Sequence, residues 1–174
     1  MGLFGRGRNT AAPGVAAPTP LAGIDVLLAD LDGVVYAGDR AIPHASEALS
    51  RAVGDGIRVG YVTNNASRTP DTVAAQLRGF GLALSPDDVV TSPQAAVQLL
   101  KDVVPAGSTI LVIGGEGLIV EVEAAGFTVT ASALDIPAAV VQGFHPSVGW
   151  VHLAEASYAI RDLGIPWIAT NQDW

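Results

Sequence analysis

The stretch VLLADLDGVVY, residues 26–36, gives the first indication of how this 174-residue chain folds. Its apolar residues run into Asp30 without alternating with polar ones, which is typical of a strand buried on both faces of a parallel sheet. A second acid, Asp32, follows two residues later. In open α/β sheets, ligands bind outside the carboxyl ends of the strands. The sequence therefore predicts that both carboxylates lie in a functional site.

The composition excludes several classes of protein. Hydrophobic residues make up 49% of the chain, yet no apolar run approaches the ~20 residues that a membrane-spanning helix needs. The net charge is −8 and Lys and Arg do not cluster, so we expect no nucleic-acid partner and no membrane partner. The absence of cysteine excludes disulfides and thiolate chemistry. We expect a cytoplasmic protein with a flexible, Gly/Pro/Ala-rich tail over residues 1–20.

Downstream of Asp32, the pattern predicts alternating helices and strands. A helix over residues 44–53 precedes a strand over residues 57–62, and Thr69 is predicted as the N-cap of a helix that starts at Pro70. Further predicted strands cover residues 109–113, 127–130, 138–141 and 167–170, and further predicted helices cover residues 93–100, 116–125 and 150–163. This order is typical of an α/β protein with parallel sheets.

The ends of the first two strands carry the candidate site residues. Asp30 and Asp32 end the first, and Thr63, Asn64 and Asn65 end the second, so neighbouring parallel strands bring them to one edge of a sheet. Two adjacent carboxylates need a cation or a proton, and Mg²⁺ suits carboxylate and phosphate oxygens. Asp30 is a candidate nucleophile on phosphorus, Asp32 a candidate general acid and base, and the Thr-Asn-Asn segment a candidate phosphate-binding loop.

Each of these interpretations has a structural alternative. A strand-end aspartate is commonly a turn or cap residue, and the Thr-Asn-Asn segment is also compatible with a plain turn. Arg68 is close enough in sequence to assist, but a solvated surface arginine is favoured. Residues 114–117 resemble a glycine loop for phosphate without its usual spacing, so a turn is favoured and a nucleotide-binding module ranks last. For His145 and Trp150, packing in the loop or core is favoured over substrate contact.

Two motifs carry a family resemblance. The segments DLDGVVYAG at residues 30–38 and YVTNNASRTP at residues 61–70 resemble the haloacid dehalogenase superfamily, in particular the NagD-like phosphatases of subfamily IIA, which include 4-nitrophenyl-phosphate phosphatases. The later IPWIATNQDW, residues 165–174, resembles a signature of that family's cap. The resemblance implies a Rossmann-like core over residues 21–92, with a partial parallel sheet, followed by a C2-type α/β cap over residues 93–174.

The resemblance also implies roles for individual residues. Asp30 becomes the nucleophile and a Mg²⁺ ligand, and Asp32 the general acid and base, with its backbone carbonyl on Mg²⁺. Thr63 becomes the phosphate-binding hydroxyl with Asn64 beside it, while Asn171 and Asp173 are the cap residues expected to face the site. The implied substrates are small phosphomonoesters such as glycerol phosphate, nucleotides or pyridoxal phosphate, and the cap allows a homodimer.

The sequence departs from the family pattern in one respect. The family's lysine after the cap and its G-D-x-x-x-D metal motif are absent, and the single lysine, Lys101, is misplaced. We therefore expect a C-terminally truncated chain, and the alternative to a phosphatase is an inactive fragment. Such a chain would leave the first strand at the edge of its sheet and would self-associate or aggregate.

Overall fold

The computed structural model describes residues 20–172. The tail predicted over residues 1–20 lies outside the described residues, apart from Pro20. Among the described residues, no helix is both long and apolar enough to cross a membrane.

The first part of the chain forms a three-stranded parallel sheet with two helices. Three parallel strands lie side by side in the order β1 (Val26–Asp30), β4 (Arg58–Thr63) and β5 (Val89–Thr91). A short antiparallel hairpin of β2 (Tyr36–Ala37) and β3 (Arg40–Ala41) follows β1. The helices are α1 Ala45–Gly54 and α2 Pro70–Gly79, with a 3₁₀ turn at Pro86–Asp88. The sequence predicted parallel pairing of the strands that end at Asp30 and at Thr63, and the pairing of β1 with β4 confirms it.

Local sequence explains where α2 begins. The Thr69 hydroxyl accepts a hydrogen bond from the Thr72 amide at 3.3 Å, and Pro70 occupies the first helical turn. A hydroxyl cap satisfies an amide that has no partner within the helix, and proline has no amide to satisfy. Thr69 is therefore the N-cap that the sequence predicts.

The rest of the described chain forms a four-stranded parallel sheet. Its strands lie in the order β7-β6-β8-β9, with helices on both faces. The bounds are α3 Ser92–Val103, β6 Thr109–Ile113, α4 Glu116–Ala124, β7 Thr128–Thr130, β8 Ala139–Gln142, α5 Trp150–Asp162 and β9 Trp167–Ala169, with a 3₁₀ turn at Ala133–Asp135. The predicted α/β class with parallel sheets is confirmed.

Alternation along the strands divides the core of the second sheet. Ile110 and Val112 of β6 face α3 and α4, whereas Leu111 and Ile113 face α5. A separate cluster, which includes Tyr61, packs the first sheet against α1 and α2. The boundary between core and cap at residues 92 and 93 remains a prediction, and this separation of the buried clusters supports it.

The prediction that β1 is buried on both faces is wrong, whereas its position at the edge of the sheet agrees with the expectation drawn from the missing family motifs. Val26 is 54% exposed and Leu28 is 69% exposed, while Ala29 on the other face is buried. Within residues 20–172, β1 pairs only with β4, and α1 and α2 cover only one face of the sheet. The uncovered face continues across the sheet to Val90, which is 49% exposed.

Candidate active site

The carboxyl ends of β1 and β4 bring the first candidate residues to one edge of the sheet. Asp30 pairs in register with Val62, and Thr63 is the next residue along β4. Asp30 is exposed, and its Oδ1 accepts a hydrogen bond from the Leu31 amide at 2.9 Å. The carboxylate is therefore exposed to solvent at the carboxyl end of β1, where a ligand could reach it.

A tight turn places Asp32 beside this edge. The Leu31 carbonyl accepts hydrogen bonds from the amides of Val35 at 2.9 Å and Tyr36 at 3.1 Å. Gly33 has a φ of +82°, a conformation that glycine adopts without steric cost. The D-x-D-G spacing therefore turns the chain back at Asp32 and leaves the side chain of Asp32 exposed.

Tyr36 and Arg68 lie behind Asp32. The Tyr36 hydroxyl is 3.3 Å from Oδ2 of Asp32, and Nη2 of Arg68 donates to the same hydroxyl at 2.6 Å. Tyr36 is 1% exposed, and burial raises the pKa of its phenol, although the charge of Arg68 opposes that shift. The prediction of Arg68 as a solvated surface arginine is wrong, because the guanidinium is half-buried against the ring and hydroxyl of Tyr36.

The Thr-Asn-Asn segment forms a compact loop after β4. Thr63 is 2% exposed, and its Oγ1 accepts a hydrogen bond from the Asn65 amide at 3.1 Å. Oδ1 of Asn65 in turn accepts from the amide of Ser67 at 2.9 Å and from its hydroxyl at 2.7 Å. The oxygen of Asn65 therefore shapes the loop, and its contact with phosphate stays a prediction.

Hydrogen bonds to Asn64 connect the first sheet with the second. Its backbone carbonyl accepts hydrogen bonds from the hydroxyl of Ser92 and from Nδ2 of Asn171, both at 2.7 Å. Asn171 follows β9 of the second sheet, so it reaches the candidate site as the sequence predicts. Asp173, the other predicted cap residue, lies outside the described residues.

A cavity of about 650 Å³ lies at the carboxyl ends of β8 and β9 and includes Asn171 in its wall. Apolar and aromatic walls come from Phe144, Leu153 and Trp167, and His145 adds a polar group. His145 therefore both packs in its loop, against Gly115, and faces the cavity. Trp150, for which packing was favoured, is instead 81% exposed.

The glycine-rich segment before α4 serves close packing. A Cβ on Gly115 would lie 2.6 Å from Cδ2 of His145, and a Cβ on Gly117 would lie 2.7 Å from the backbone carbonyl of Arg68. Glycine at these positions lets the second sheet approach the loop that carries Arg68. This packing explains the glycines without a bound phosphate. Residues 114 and 115 form the bend before α4, whereas Gly117 lies in the first turn of that helix.

The acids at the edge of the first sheet define the available metal ligands. Among residues 20–172, no group of three or more His, Asp or Glu side chains is placed to hold a metal ion. Asp30 and the turn at Asp32 supply two carboxylates and the carbonyl oxygens beside them. Mg²⁺ binds through one or two carboxylates and keeps water and substrate oxygens as its other ligands, so this donor set fits Mg²⁺.

Three residues of the site were not predicted in these roles. Tyr36 and Arg68 are 32 positions apart, and Ser92 reaches the Asn64 carbonyl across 28 positions. Local sequence patterns carry no signal for such distant contacts. Of these three residues, only Arg68 had a signal in the sequence, which was its position close to the Thr-Asn-Asn segment.

Comparison with known proteins places this arrangement in a family. The sequence profile of the haloacid dehalogenase-like hydrolases matches residues 27–128. The chain is 44% identical over 149 residues to D-glycerol 3-phosphate phosphatase of Mycobacterium tuberculosis, with 86% of this chain and 41% of the relative covered. It is 33% identical over 192 residues to glycerol-3-phosphate phosphatase of Gallus gallus, with 99% of this chain and 62% of the relative covered.

Comparison with solved structures also finds phosphatases. The structure of glycerol phosphate phosphatase from M. tuberculosis in complex with magnesium matches with a TM-score of 0.79 at 43% identity, over 86% of this chain and 44% of that one. A p-nitrophenyl phosphatase from Archaeoglobus fulgidus matches with a TM-score of 0.75 at 27% identity, over 85% of this chain and 55% of that one. The chain thus spans only about two fifths to three fifths of these proteins. It belongs to the haloacid dehalogenase-like hydrolases, within their NagD-like subfamily IIA.

Proposed function

We propose that the protein is a Mg²⁺-dependent phosphatase of small phosphomonoesters that uses Asp30 as its nucleophile. The observation that carries this proposal is the placement of Asp30 and Thr63 at one edge of the first sheet, with Asp32 in the adjoining turn. An exposed carboxylate, a second carboxylate and a buried hydroxyl at a strand end are the groups that phosphoryl transfer to aspartate needs.

The reaction has two steps. A carboxylate oxygen of Asp30 attacks phosphorus, the bond to the leaving oxygen breaks, and protonated Asp32 gives its proton to that oxygen. Asp32 then takes a proton from a water molecule, whose oxygen attacks the phosphorus of the aspartyl phosphate. The bond to Asp30 breaks, which releases inorganic phosphate and restores both carboxyl groups.

The remaining groups hold the phosphate. We propose that the Thr63 hydroxyl and the polar groups of Asn64 and Asn65 contact its oxygens. Asp30 and the backbone carbonyl of Asp32 would hold Mg²⁺, which neutralises charge on the phosphate when bound. The magnesium complex of the M. tuberculosis relative supports this cofactor.

The proposed substrate is glycerol phosphate, with nucleotides and pyridoxal phosphate as the alternatives within the same class. Two relatives named as glycerol 3-phosphate phosphatases support this choice. The cavity beside Asn171, of about 650 Å³, is large enough for a small leaving group. A cytoplasmic location and a homodimer through the cap remain predictions; exposed Trp150 and Val151 on α5 support the dimer.

A second candidate is a chain that binds phosphate and does not turn it over. The uncovered face of β1 favours this candidate, because exposed Val26 and Leu28 leave the strand that carries Asp30 open on one side. The single lysine, Lys101, lies in α3 and lines a cavity with Gln98 and Glu121 that contains no residue of the candidate site.

Phosphate release separates the two candidates. We would assay this chain, and the M. tuberculosis enzyme with its matched 149 residues replaced by those of this chain, on glycerol 3-phosphate and 4-nitrophenyl phosphate. The phosphatase proposal predicts Mg²⁺-dependent release that EDTA abolishes. It also predicts that Asp30→Asn lowers kcat by about a thousandfold or more.

Two outcomes contradict the phosphatase proposal. The first is no phosphate release from either protein while the unmodified M. tuberculosis enzyme is active in the same assay. The second is release that Asp30→Asn leaves unchanged. Release by the chimaera alone would favour the second candidate for the 174-residue chain and would still assign the chemistry to Asp30.

A further inference from the structure

Tyr36 and Arg68 have no part in the proposed reaction, yet they contact the residue proposed as its acid and base. Tyr36 is 1% exposed and its hydroxyl lies 3.3 Å from Oδ2 of Asp32. Asp32 itself lies in an exposed turn. An exposed aspartate samples several side-chain rotamers unless a neighbour selects one.

Arg68 determines the direction in which the Tyr36 hydroxyl donates. Nη2 of Arg68 donates to that hydroxyl oxygen at 2.6 Å. A guanidinium has no acceptor, so the phenol proton cannot point back towards Arg68. Within residues 20–172, the other polar partner of the hydroxyl is Asp32, so the phenol donates to the carboxylate.

The guanidinium is itself fixed in place. Its Nη1 donates to Oε1 of Gln76 in α2, and Nε2 of Gln76 donates to the carbonyl of Gly38 at 2.9 Å. Its Cζ lies 5.5 Å from the centroid of the Tyr36 ring. The backbone of Arg68 packs against Gly117 so closely that a Cβ there would lie 2.7 to 2.8 Å from it. The chain of contacts therefore runs from helix α2 through Arg68 and Tyr36 to the exposed carboxylate of Asp32.

We propose that Tyr36 and Arg68 are positioning residues that hold the Asp32 carboxylate in one orientation for proton transfer. This inference rests on the proposed function, because Asp32 needs a fixed orientation only if it transfers a proton. General acid catalysis requires the carboxyl group within hydrogen-bond reach of that oxygen. A carboxylate free to rotate spends most of its time in unproductive orientations.

The first test measures the orientation directly and needs no turnover. Three-bond couplings between the backbone and the Asp32 carboxyl carbon report its χ1 rotamer by NMR on the full chain. A single rotamer is expected in the wild type, and averaged couplings are expected in Arg68→Gln and in Tyr36→Phe. Tyr36→Phe keeps the buried ring and serves should Arg68→Gln fail to fold.

The matched control is Arg78→Gln. Arg78 lies at the other end of α2 from Arg68, is exposed, and donates to the Leu84 carbonyl at 3.3 Å. Its substitution should leave the Asp32 couplings unchanged. Averaged couplings in the wild type, or a single rotamer retained in both Arg68→Gln and Tyr36→Phe, would overturn the proposal.

The second test is kinetic and uses whichever of the two proteins assayed above releases phosphate. Arg68→Gln and Tyr36→Phe should each lower kcat by roughly tenfold to a hundredfold with KM nearly unchanged, since misorientation affects the proton transfer more than binding. The double variant should be no worse than either single one, and Arg68→Lys should recover part of the rate. Additive losses, or a loss confined to KM, would overturn the proposal.

The two tests fail independently. Couplings that average in the variants while no protein releases phosphate would reject the phosphatase and retain the contact that orients Asp32. Phosphate release that depends on Asp30 but not on Arg68 or Tyr36 would reject the positioning role and retain the phosphatase.

Discussion

Replacement of Gly117 by alanine tests the contact between the second sheet and the loop of the candidate site. The added Cβ would lie 2.7 Å from both the carbonyl carbon and the oxygen of Arg68, and 2.8 Å from its amide nitrogen. All three atoms belong to the backbone, so no side chain can rotate away. Either α4 or the loop must shift by several tenths of an ångström.

The expected cost follows from two opposing contributions. Overpacking a buried contact costs about 1–3 kcal/mol. Alanine in place of glycine recovers up to about 1 kcal/mol of helix propensity, since Gly117 lies within α4. We therefore expect a net loss of about 1–2 kcal/mol in the free energy of unfolding, which lowers the urea midpoint by roughly 0.5–1 M.

Urea unfolding followed by circular dichroism measures this loss. The matched control is Gly79→Ala at the end of α2, where a Cβ would meet nothing within 4 Å. That substitution should leave the midpoint unchanged or raise it slightly. A Gly117→Ala protein as stable as the wild type would refute the close contact between α4 and Arg68.

Two further predictions concern other parts of the molecule. We expect the wild-type chain to self-associate through the uncovered face of β1, where the apolar Leu28 is 69% exposed. Leu28→Lys should therefore shift the protein towards monomer in sedimentation velocity. A wild-type chain that is already monomeric at the same concentration contradicts this prediction. Burial and, to a smaller extent, the charge of Asp88 raise the pKa of the Tyr61 phenol. The folded state therefore keeps the phenol proton to a higher pH than the unfolded state does. The free energy of unfolding should therefore decline as the pH rises above about 10, and Tyr61→Phe should reduce that decline in pH-dependent urea titrations, with an unchanged decline arguing against the effect.

Strong local signals explain what the sequence predicted well. The strand over residues 109–113 was predicted with its observed bounds, because a threonine and four apolar residues end at a glycine pair. The start of α2 followed from Thr69 and Pro70. The placement of Asp30 and Thr63 at one edge of the sheet followed from the parallel pairing of two strands. The polar residues at the ends of both strands are evident in the sequence.

Non-local contacts explain what was missed. The three-residue strand β5 follows a Pro-Asp-Asp turn and exists because it pairs with β4, which its own sequence does not reveal. The burial of β1 depends on which elements cover it, and a run of apolar residues has the same pattern at the edge of a sheet as at its centre. Only the missing family motifs, and not the strand's own residues, predicted the edge position. Arg68 looked like a surface residue because its partners, Tyr36 and Gln76, are brought to it by the fold.

The most direct test of the account is to identify the residue that carries the phosphoryl group. The phosphate-releasing protein would be mixed with 4-nitrophenyl phosphate and Mg²⁺, quenched with sodium borohydride, digested, and sequenced by mass spectrometry. Borohydride reduces an aspartyl phosphate to homoserine. The proposed mechanism predicts homoserine at position 30 and none in the Asp30→Asn protein. Homoserine at position 32, or phosphate release with no trapped residue at position 30, would contradict it.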